Sequence, residues 1–96
     1  MYLIFYDIEK NSLRKKIADL LLYHGYIRIQ LSVFAGNINP EKLHLWKKIS
    51  LLMKTEENNK VYCLKINDDH FRNIKKIGTF DADIEFILGT RKSMIF

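Results

Sequence analysis

Asp7 is the residue in this sequence whose type and position best suit chemistry. It ends a short run of aromatic and aliphatic residues, on the same alternating face as Leu3 and Phe5, where a packing residue would be expected. One carboxylate is a poor metal site, because Mg²⁺ usually binds one or two carboxylates together with substrate phosphates. If Leu3 and Phe5 face a two-fold related partner, two copies of Asp7 meet near the axis and predict a metal site. The alternative interpretation is a structural Asp that caps the following turn or pairs with a lysine.

Basic residues surround the turn after Asp7 and continue into the next predicted elements. The chain has 16 Lys and Arg residues against 11 Asp and Glu residues, a formal charge of +5 that doubles in a dimer. A cationic surface of that size attracts phosphate backbones through counterion release without reading base sequence. We therefore predict nucleic-acid binding, and the alternative is an ordinary solvated face. The candidate residues are Arg14, Lys15, Lys16 and Arg28.

The composition limits the class of protein. With 96 residues, 48% apolar and 12% aromatic, the chain is one small domain and too apolar for intrinsic disorder. Charged residues interrupt every apolar run before it could span a membrane. The single cysteine, Cys63, cannot form an internal disulfide, and the chain opens with a strand-like run in place of a signal sequence. These features predict a cytoplasmic protein.

The hydrophobic spacing predicts the order of the elements that position these residues. Residues 26 to 38 alternate like a strand, or like two strands joined as a hairpin. The segment from Asn67 to Gly78 predicts a turn or two of helix built on Phe71, Ile74 and Ile77. The other predicted elements are strand 2 to 8, helix 12 to 24, a helix from Pro40 to near Lys54, and strand 60 to 66.

If residues 26 to 38 form a hairpin, this order predicts an α+β fold, the ferredoxin-like β-α-β-β-α-β sandwich with two helices on one face of an antiparallel sheet. We expect this domain to span residues 1 to 78 and residues 79 to 96 to form a C-terminal dimerisation tail. The first and last strands are apolar on both faces, and the helices cover only one, so the pattern predicts a homodimer packed sheet to sheet. Cys63 alternates with Val61 and is predicted to be a small buried residue.

Several segments together resemble the CRISPR-associated Cas2 family over about residues 1 to 66. Tyr6-Asp7-Ile8 closes the first strand, and the helix containing Arg14 and the run from Ile17 to Leu21 follows. After Gly25 comes the run Arg28-Ile29-Gln30-Leu31-Ser32-Val33-Phe34-Ala35-Gly36, and then a helix led by proline. The family segment reads roughly Arg-hydrophobic-Gln-x-Ser-Val-Phe-Glu-Gly, so the spacing is intact.

The resemblance implies a fold, an activity and partners. Members are small ferredoxin-like homodimers, and the segment from 26 to 38 becomes two strands that break near Gln30 to Ser32. Asp7 from each protomer approaches Mg²⁺ or Mn²⁺ and is the catalytic residue of an endonuclease acting on RNA or double-stranded DNA, while Arg14 or Lys16 steadies the phosphate. The dimer bridges two dimers of the CRISPR adaptation integrase on DNA during spacer acquisition. The C-terminal residues 93 to 96 add a strand to the partner's sheet.

The resemblance also assigns supporting residues and leaves alternatives open. Tyr6, Ser32 and Phe34 are expected to hold the hairpin near Asp7, although plain packing also explains Phe34. Ala35 stands where the motif commonly has Glu, which favours DNA bridging over catalysis. Two other interpretations are a purely structural, non-catalytic DNA-binding scaffold and a toxin ribonuclease similar to the VapD proteins.

Overall fold

The computed structural model describes residues 1–54 and 58–78 and shows a four-stranded antiparallel sheet in the order β2-β3-β1-β4. The first two α-helices pack on one face, so the predicted ferredoxin-like α+β fold is confirmed. The elements in chain order are β1 Tyr2–Asp7, α1 Asn11–Tyr23, β2 Ile27–Gln30, β3 Val33–Gly36, a 3-10 turn Lys42–His44, α2 Leu45–Met53, β4 Lys60–Lys65 and α3 Asp68–Arg72.

The segment from 26 to 38 folds as a hairpin, with the break at Leu31 and Ser32. Strand β3 lies between β2 and β1, so Phe34 pairs with Ile4 on one side and with Arg28 on the other. A register shift between Arg28 and Gln30 marks a bulge beside the turn. The predicted break between Gln30 and Ser32 is therefore confirmed, and it places Arg28 on an edge strand.

The core lies between the sheet and helices α1 and α2. Because side chains alternate along β1, Ile4 and Tyr6 point into this layer and are buried. Helix α1 contributes the predicted stripe at helical spacing, and Gly25 ends it with a φ of +88° that side-chain-bearing residues rarely adopt. The buried residues of the main cluster are Ile4, Tyr6, Ile8, Leu13, Ile17, Ala18, Leu21, Tyr26, Phe34, Leu45 and Ile49.

The second helix begins later in the chain than predicted from Pro40. Its regular part starts at Leu45, after a 3-10 turn in which Leu43 and His44 both have a φ of 56°. Pro40 is buried, and its carbonyl accepts a hydrogen bond from the backbone N–H of Trp46, so the chain between them makes a wider loop than a helical turn. As a result Leu45 faces the core and Leu43 does not.

The opposite face of the sheet carries Leu3, Phe5 and Asp7 from β1. Register places Tyr62 beside Phe5 and Leu64 beside Leu3, and the rings of Phe5 and Tyr62 stack with centroids 5.2 Å apart. Phe71 of α3 packs over one end of this face, as part of a small cluster with Met1, Leu3, Ile27, Ile29, Ala35 and Ile66. Phe5, Tyr62 and Leu64 define what we term the open face.

Two predictions about single residues are wrong. Cys63 is exposed, although it pairs with the buried Ile4, because β4 is an edge strand and the helices do not extend over it. Ile74 and Ile77 lie beyond α3 and are exposed, so the helix of this segment is one short turn around Phe71. In that helix Asn67 accepts a hydrogen bond from the N–H of His70, which caps its first turn.

Among residues 1–54 and 58–78, no helix has the length and apolar character needed to cross a membrane. The predicted C-terminal tail from residue 79, including the expected strand at 93 to 96, lies outside the described residues.

Candidate functional site

An open groove of about 640 Å³ runs between α1 and the turn of the β2–β3 hairpin. It gathers residues that lie far apart in the sequence, including five of the sequence-predicted site residues: Tyr6, Arg14, Lys15, Arg28 and Ser32. Ala18, Asp19 and Leu31 complete its lining. We call it the basic groove, because three of its side chains are cations. Lys16 is exposed on the same helix but does not line it.

Arg14 is tied to the loop that follows β1. Its Nη1 donates hydrogen bonds to the carbonyl oxygens of Ile8 and Glu9, at 2.9 and 3.3 Å. These bonds hold one side of the guanidinium against the loop that follows β1. Within the part of the chain that the structure describes, its Nε and Nη2 have no protein partner. Arginine presents five N–H donors in a fixed fork, so these remaining groups suit a phosphate.

Arg28 is held by aromatic packing. Its guanidinium carbon lies 5.0 Å from the centroid of the Phe34 ring, and Phe34 is fully buried. On the same layer the rings of Tyr6 and Phe34 stack with centroids 6.1 Å apart. A guanidinium over an aromatic face is attracted by the quadrupole of the ring, whose face has a negative potential, and it loses some of its freedom to move. Arg28 is therefore an exposed cation with a restricted orientation.

Tyr6 connects β1 to the hairpin turn. Its hydroxyl donates to the carbonyl of Leu31 at 3.3 Å, and its backbone N–H donates to the carbonyl of Ser32 at 3.1 Å. These bonds satisfy carbonyl groups of the two residues that join β2 to β3. The wall of the groove formed by Leu31 and Ser32 is thus attached to the central strand, although Leu31 itself is 83% exposed.

Asp7 does not lie in the basic groove. It follows Tyr6 on β1, so the two side chains leave opposite faces of the sheet, and Asp7 is exposed on the side of the open face. Its register partner is Lys60 on β4. The structure therefore divides the sequence-predicted residues between two surfaces, with the carboxylate on one and most of the cations on the other.

A metal ion would find an incomplete ligand set in one copy of the chain. Among residues 1–54 and 58–78, no group of three or more His, Cys, Asp or Glu side chains could hold a metal. Asp7 has an exposed carboxylate, a type of group that suits Mg²⁺ when a second carboxylate, water and substrate phosphates supply the other positions. The donor chemistry fits Mg²⁺ or Mn²⁺ only if another chain or the substrate completes it.

A smaller pocket of about 250 Å³ lies on the helix side of β4, and the sequence analysis did not anticipate it. Cys63 and Lys65 line it, together with Tyr2, Asn39, Pro40, Glu41 and Trp46. Cys63 is exposed to solvent, but the pocket partly desolvates its thiol, which raises the pKa of that thiol, and the nearby Glu41 carboxylate adds to the rise. A thiol with a raised pKa stays protonated at neutral pH, so this pocket contains no activated nucleophile.

Comparison with protein families identifies the chain. The family model described as "CRISPR associated protein Cas2" matches residues 1–74, from β1 through α3. The chain belongs to the CRISPR-associated Cas2 family. The predicted resemblance is therefore confirmed, and the match extends beyond the segments that suggested it.

Several relatives carry related names. A Cas2-family protein of Methanospirillum hungatei, named CRISPR-associated endoribonuclease Cas2 1, is 43% identical over 42 residues, 44% of each chain. One from Pyrobaculum aerophilum, CRISPR-associated endoribonuclease Cas2 2, is 50% identical over 44 residues, 45% of this chain and 48% of that one. One from Korarchaeum cryptofilum is 29% identical over 76 residues, 79% of this chain and 82% of its own length. The chain thus matches somewhat less than half the length of the first two.

Two solved structures show the same fold. The crystal structure of Streptococcus pyogenes Cas2 at pH 6.5 superposes with a TM-score of 0.67 at 19% identity, over 80% of this chain and 98% of that one. A hypothetical protein of Thermus thermophilus, TT1823, superposes with a TM-score of 0.66 at 24% identity, over 84% and 93%. At these identities the likeness concerns the fold.

Proposed function

We propose that this Cas2-family protein binds nucleic acid through the basic groove and acts in CRISPR adaptation. The observation that carries the proposal is the position of Arg14, Lys15 and Arg28 around one open groove. Two of the three are oriented by contacts with the fold, Arg14 by loop carbonyls and Arg28 by Phe34. Cations that are already positioned lose less freedom when they bind a phosphate, so they bind it more tightly than mobile surface lysines do.

The proposal includes a homodimer. Tyr62 and Leu64 on the open face are 48% and 49% exposed, and Phe5 lies beside them. A second copy packed on this face would bury them and would bring two copies of Asp7 toward each other, because Asp7 ends the same strand on the same side. Among the described strands, β4 lies at the edge of the sheet, and this edge is where the partner's C-terminal strand would add.

In this dimer we propose a metal-dependent endonuclease activity on RNA or double-stranded DNA. The relatives named endoribonuclease support the choice of reaction. The two Asp7 carboxylates would hold Mg²⁺ or Mn²⁺. The bound ion would polarise a backbone phosphate and activate a water molecule. The chain's own contribution is to position the backbone, with Arg14 or Lys16 near the start of α1 steadying the phosphate.

A non-catalytic scaffold that bridges integrase dimers on DNA is the second candidate. The specific observation that favours it is the separation of Asp7 from the basic groove on opposite faces of β1. Ala35 also favours the scaffold, because it is fully buried and offers no carboxylate where the family motif commonly has Glu. Under this proposal the groove retains its role, and Asp7 performs no chemistry.

The variant Asp7→Asn separates the two candidates, because it removes the charge and preserves the size. For the nuclease we expect rigorously purified Asp7→Asn protein to lose Mg²⁺-dependent and Mn²⁺-dependent cleavage of labelled RNA and duplex DNA while oligonucleotide affinity is unchanged. The matched control is Asp69→Asn, which removes an exposed carboxylate on α3. Cleavage by Asp7→Asn at the wild-type rate excludes the nuclease mechanism. Spacer acquisition in cells carrying the same variant then tests the scaffold function. If the protein acts only as a scaffold, acquisition should continue despite the substitution.

A further inference from the structure

Asp19 is the one acidic side chain that lines the basic groove among the residues that the structure describes. Its Oδ2 accepts a hydrogen bond from the Lys15 ammonium at 2.9 Å, across one turn of α1. A carboxylate in such a place opposes the binding of phosphate in two ways. It repels the phosphate, and it occupies an ammonium that would otherwise bind it.

The fold does not require this carboxylate. Helix α1 is held by its buried stripe of Leu13, Ile17, Ala18 and Leu21, and Asp19 lies outside the stripe. The side chains of Lys15 and Asp19 are 77% and 61% exposed, and exposed ion pairs on a helix contribute little to stability. Asp19 therefore affects phosphate binding in the groove more than it affects the stability of the helix.

We propose that Asp19 is an affinity-determining residue that competes with nucleic-acid phosphate for the ammonium of Lys15. This inference rests on the proposed nucleic-acid binding. When a phosphate enters the groove, Lys15 exchanges the Asp19 carboxylate for a phosphate oxygen, and the carboxylate turns to water. Each complex therefore forms at the expense of an existing ion pair. Arg14 and Arg28 have no such competitor, because their described contacts are with carbonyl groups and with Phe34.

The test is Asp19→Asn, measured by fluorescence anisotropy with a short single-stranded RNA and with a duplex DNA of the same length. We expect both to bind about threefold to tenfold more tightly at low salt, the range that exposed charges at such a distance produce. We also expect the slope of log affinity against log salt to stay near the wild-type value, because Lys15 contacts the same phosphate in both complexes and only the competing carboxylate is lost.

Two further variants serve as a control and as a test of competition for Lys15. Asp69→Asn removes a carboxylate from the exposed ion pair with Arg72 on α3, and it should leave affinity nearly unchanged because it lies outside the groove. Lys15→Gln should weaken binding, and adding Asp19→Asn to it should restore much less than Asp19→Asn gains in the wild type. This non-additivity is the signature of competition for Lys15.

Several results overturn the inference. Competition is excluded if Asp19→Asn binds with unchanged affinity, or if it gains equally with and without Lys15. In either case, measurable binding by the wild type still supports the proposed nucleic-acid binding. Weaker binding by Asp19→Asn shows that the carboxylate contacts the ligand directly. If neither the wild type nor any variant binds either oligonucleotide, the proposed function fails together with the inference.

Discussion

The guanidinium of Arg28 lies 5.0 Å above the centre of the Phe34 ring, so an exposed cation of an edge strand is oriented by a fully buried residue of the neighbouring strand. Register makes this contact possible, because Arg28 and Phe34 are direct partners in the β2–β3 ladder. Phe34 in turn stacks on Tyr6, which is bonded to the hairpin turn. The hydrophobic core and the basic groove are thus joined by one layer of aromatic rings.

We expect Arg28→Lys to weaken oligonucleotide binding although it keeps the charge. Lysine cannot lie flat on the ring or present a planar fork, so the cation is no longer held in the groove, and we expect about a threefold to tenfold loss of affinity. Stability should fall by less than about 1 kcal/mol, because the Arg28 side chain is exposed to solvent. Titrations and urea unfolding measure the two quantities.

Lys48→Arg is the matched control for Arg28→Lys, since it makes the reverse exchange on an exposed lysine of α2 outside the groove. It should bind like the wild type. Wild-type affinity in Arg28→Lys as well would show that Phe34 does not orient a functional cation.

Leu64→Glu should dissociate the proposed homodimer. The side chain lies on the open face and is 49% exposed in one protomer, and a carboxylate there would be buried against a second copy without a partner. We expect sedimentation to show a monomer for this variant and a dimer for the wild type. Leu51→Glu is the matched control, because Leu51 is 61% exposed on α2. If both variants remain dimeric, the sheet face is not the interface.

Leu43→Gly should stabilise the protein. Leu43 has a φ of 56° in the turn before α2 and is 68% exposed, so it contributes strain and little packing. The left-handed conformation costs a leucine about 1–2 kcal/mol, and glycine avoids this at an entropic cost of about 0.5–1 kcal/mol, so we expect a net gain of about 0.5–1 kcal/mol. Thermal or urea unfolding measures it.

The control for Leu43→Gly is Lys42→Gly in the same turn, because Lys42 does not have a positive φ. There glycine removes no strain and should lower the free energy of unfolding. A loss of stability in both variants would mean that the turn is not strained at Leu43.

Cys63 should react slowly with iodoacetamide at neutral pH. Partial desolvation in the pocket, and then Glu41, raises the pKa of its thiol, so the reactive thiolate is scarcer than in an ordinary cysteine and becomes abundant only at more alkaline pH. Glu41→Gln removes the second cause and should shift the pH profile of alkylation toward lower pH. The urea-unfolded chain, in which both causes are lost, gives the reference profile. A native profile at or below that reference contradicts the assignment.

Local pattern was sufficient for most of the elements. The alternation of residues 26 to 38, the helical stripe of α1 and the apolar runs of β1 and β4 depend on spacing along the chain, and spacing is fully present in the sequence. The family motif added the break in the hairpin at Leu31 and Ser32, which alternation alone left open. The candidate cations Arg14, Lys15 and Arg28 could likewise be chosen from their types and neighbours.

The start of α2 and the exposure of Cys63 could not be predicted in this way. Pro40 is a good first residue for a helix, but its burial and its bond to the N–H of Trp46 are tertiary contacts. Cys63 alternates toward the helix layer as predicted, and only the position of β4 at the sheet edge leaves it uncovered. In both cases the tertiary surroundings of the residue outweigh the preference that the local sequence indicates.

The sequence by itself determined the order of elements, the apolar stripe of the helix and the identity of the family, because each of these depends on residues that are close along the chain or match a linear motif. Only the tertiary structure decided that Arg28 stands over Phe34, that Asp19 enters the basic groove, and that Asp7 faces away from it. These relationships depend on strand order and on the face that each side chain takes. Strand order is fixed by contacts between distant segments, which no local pattern records.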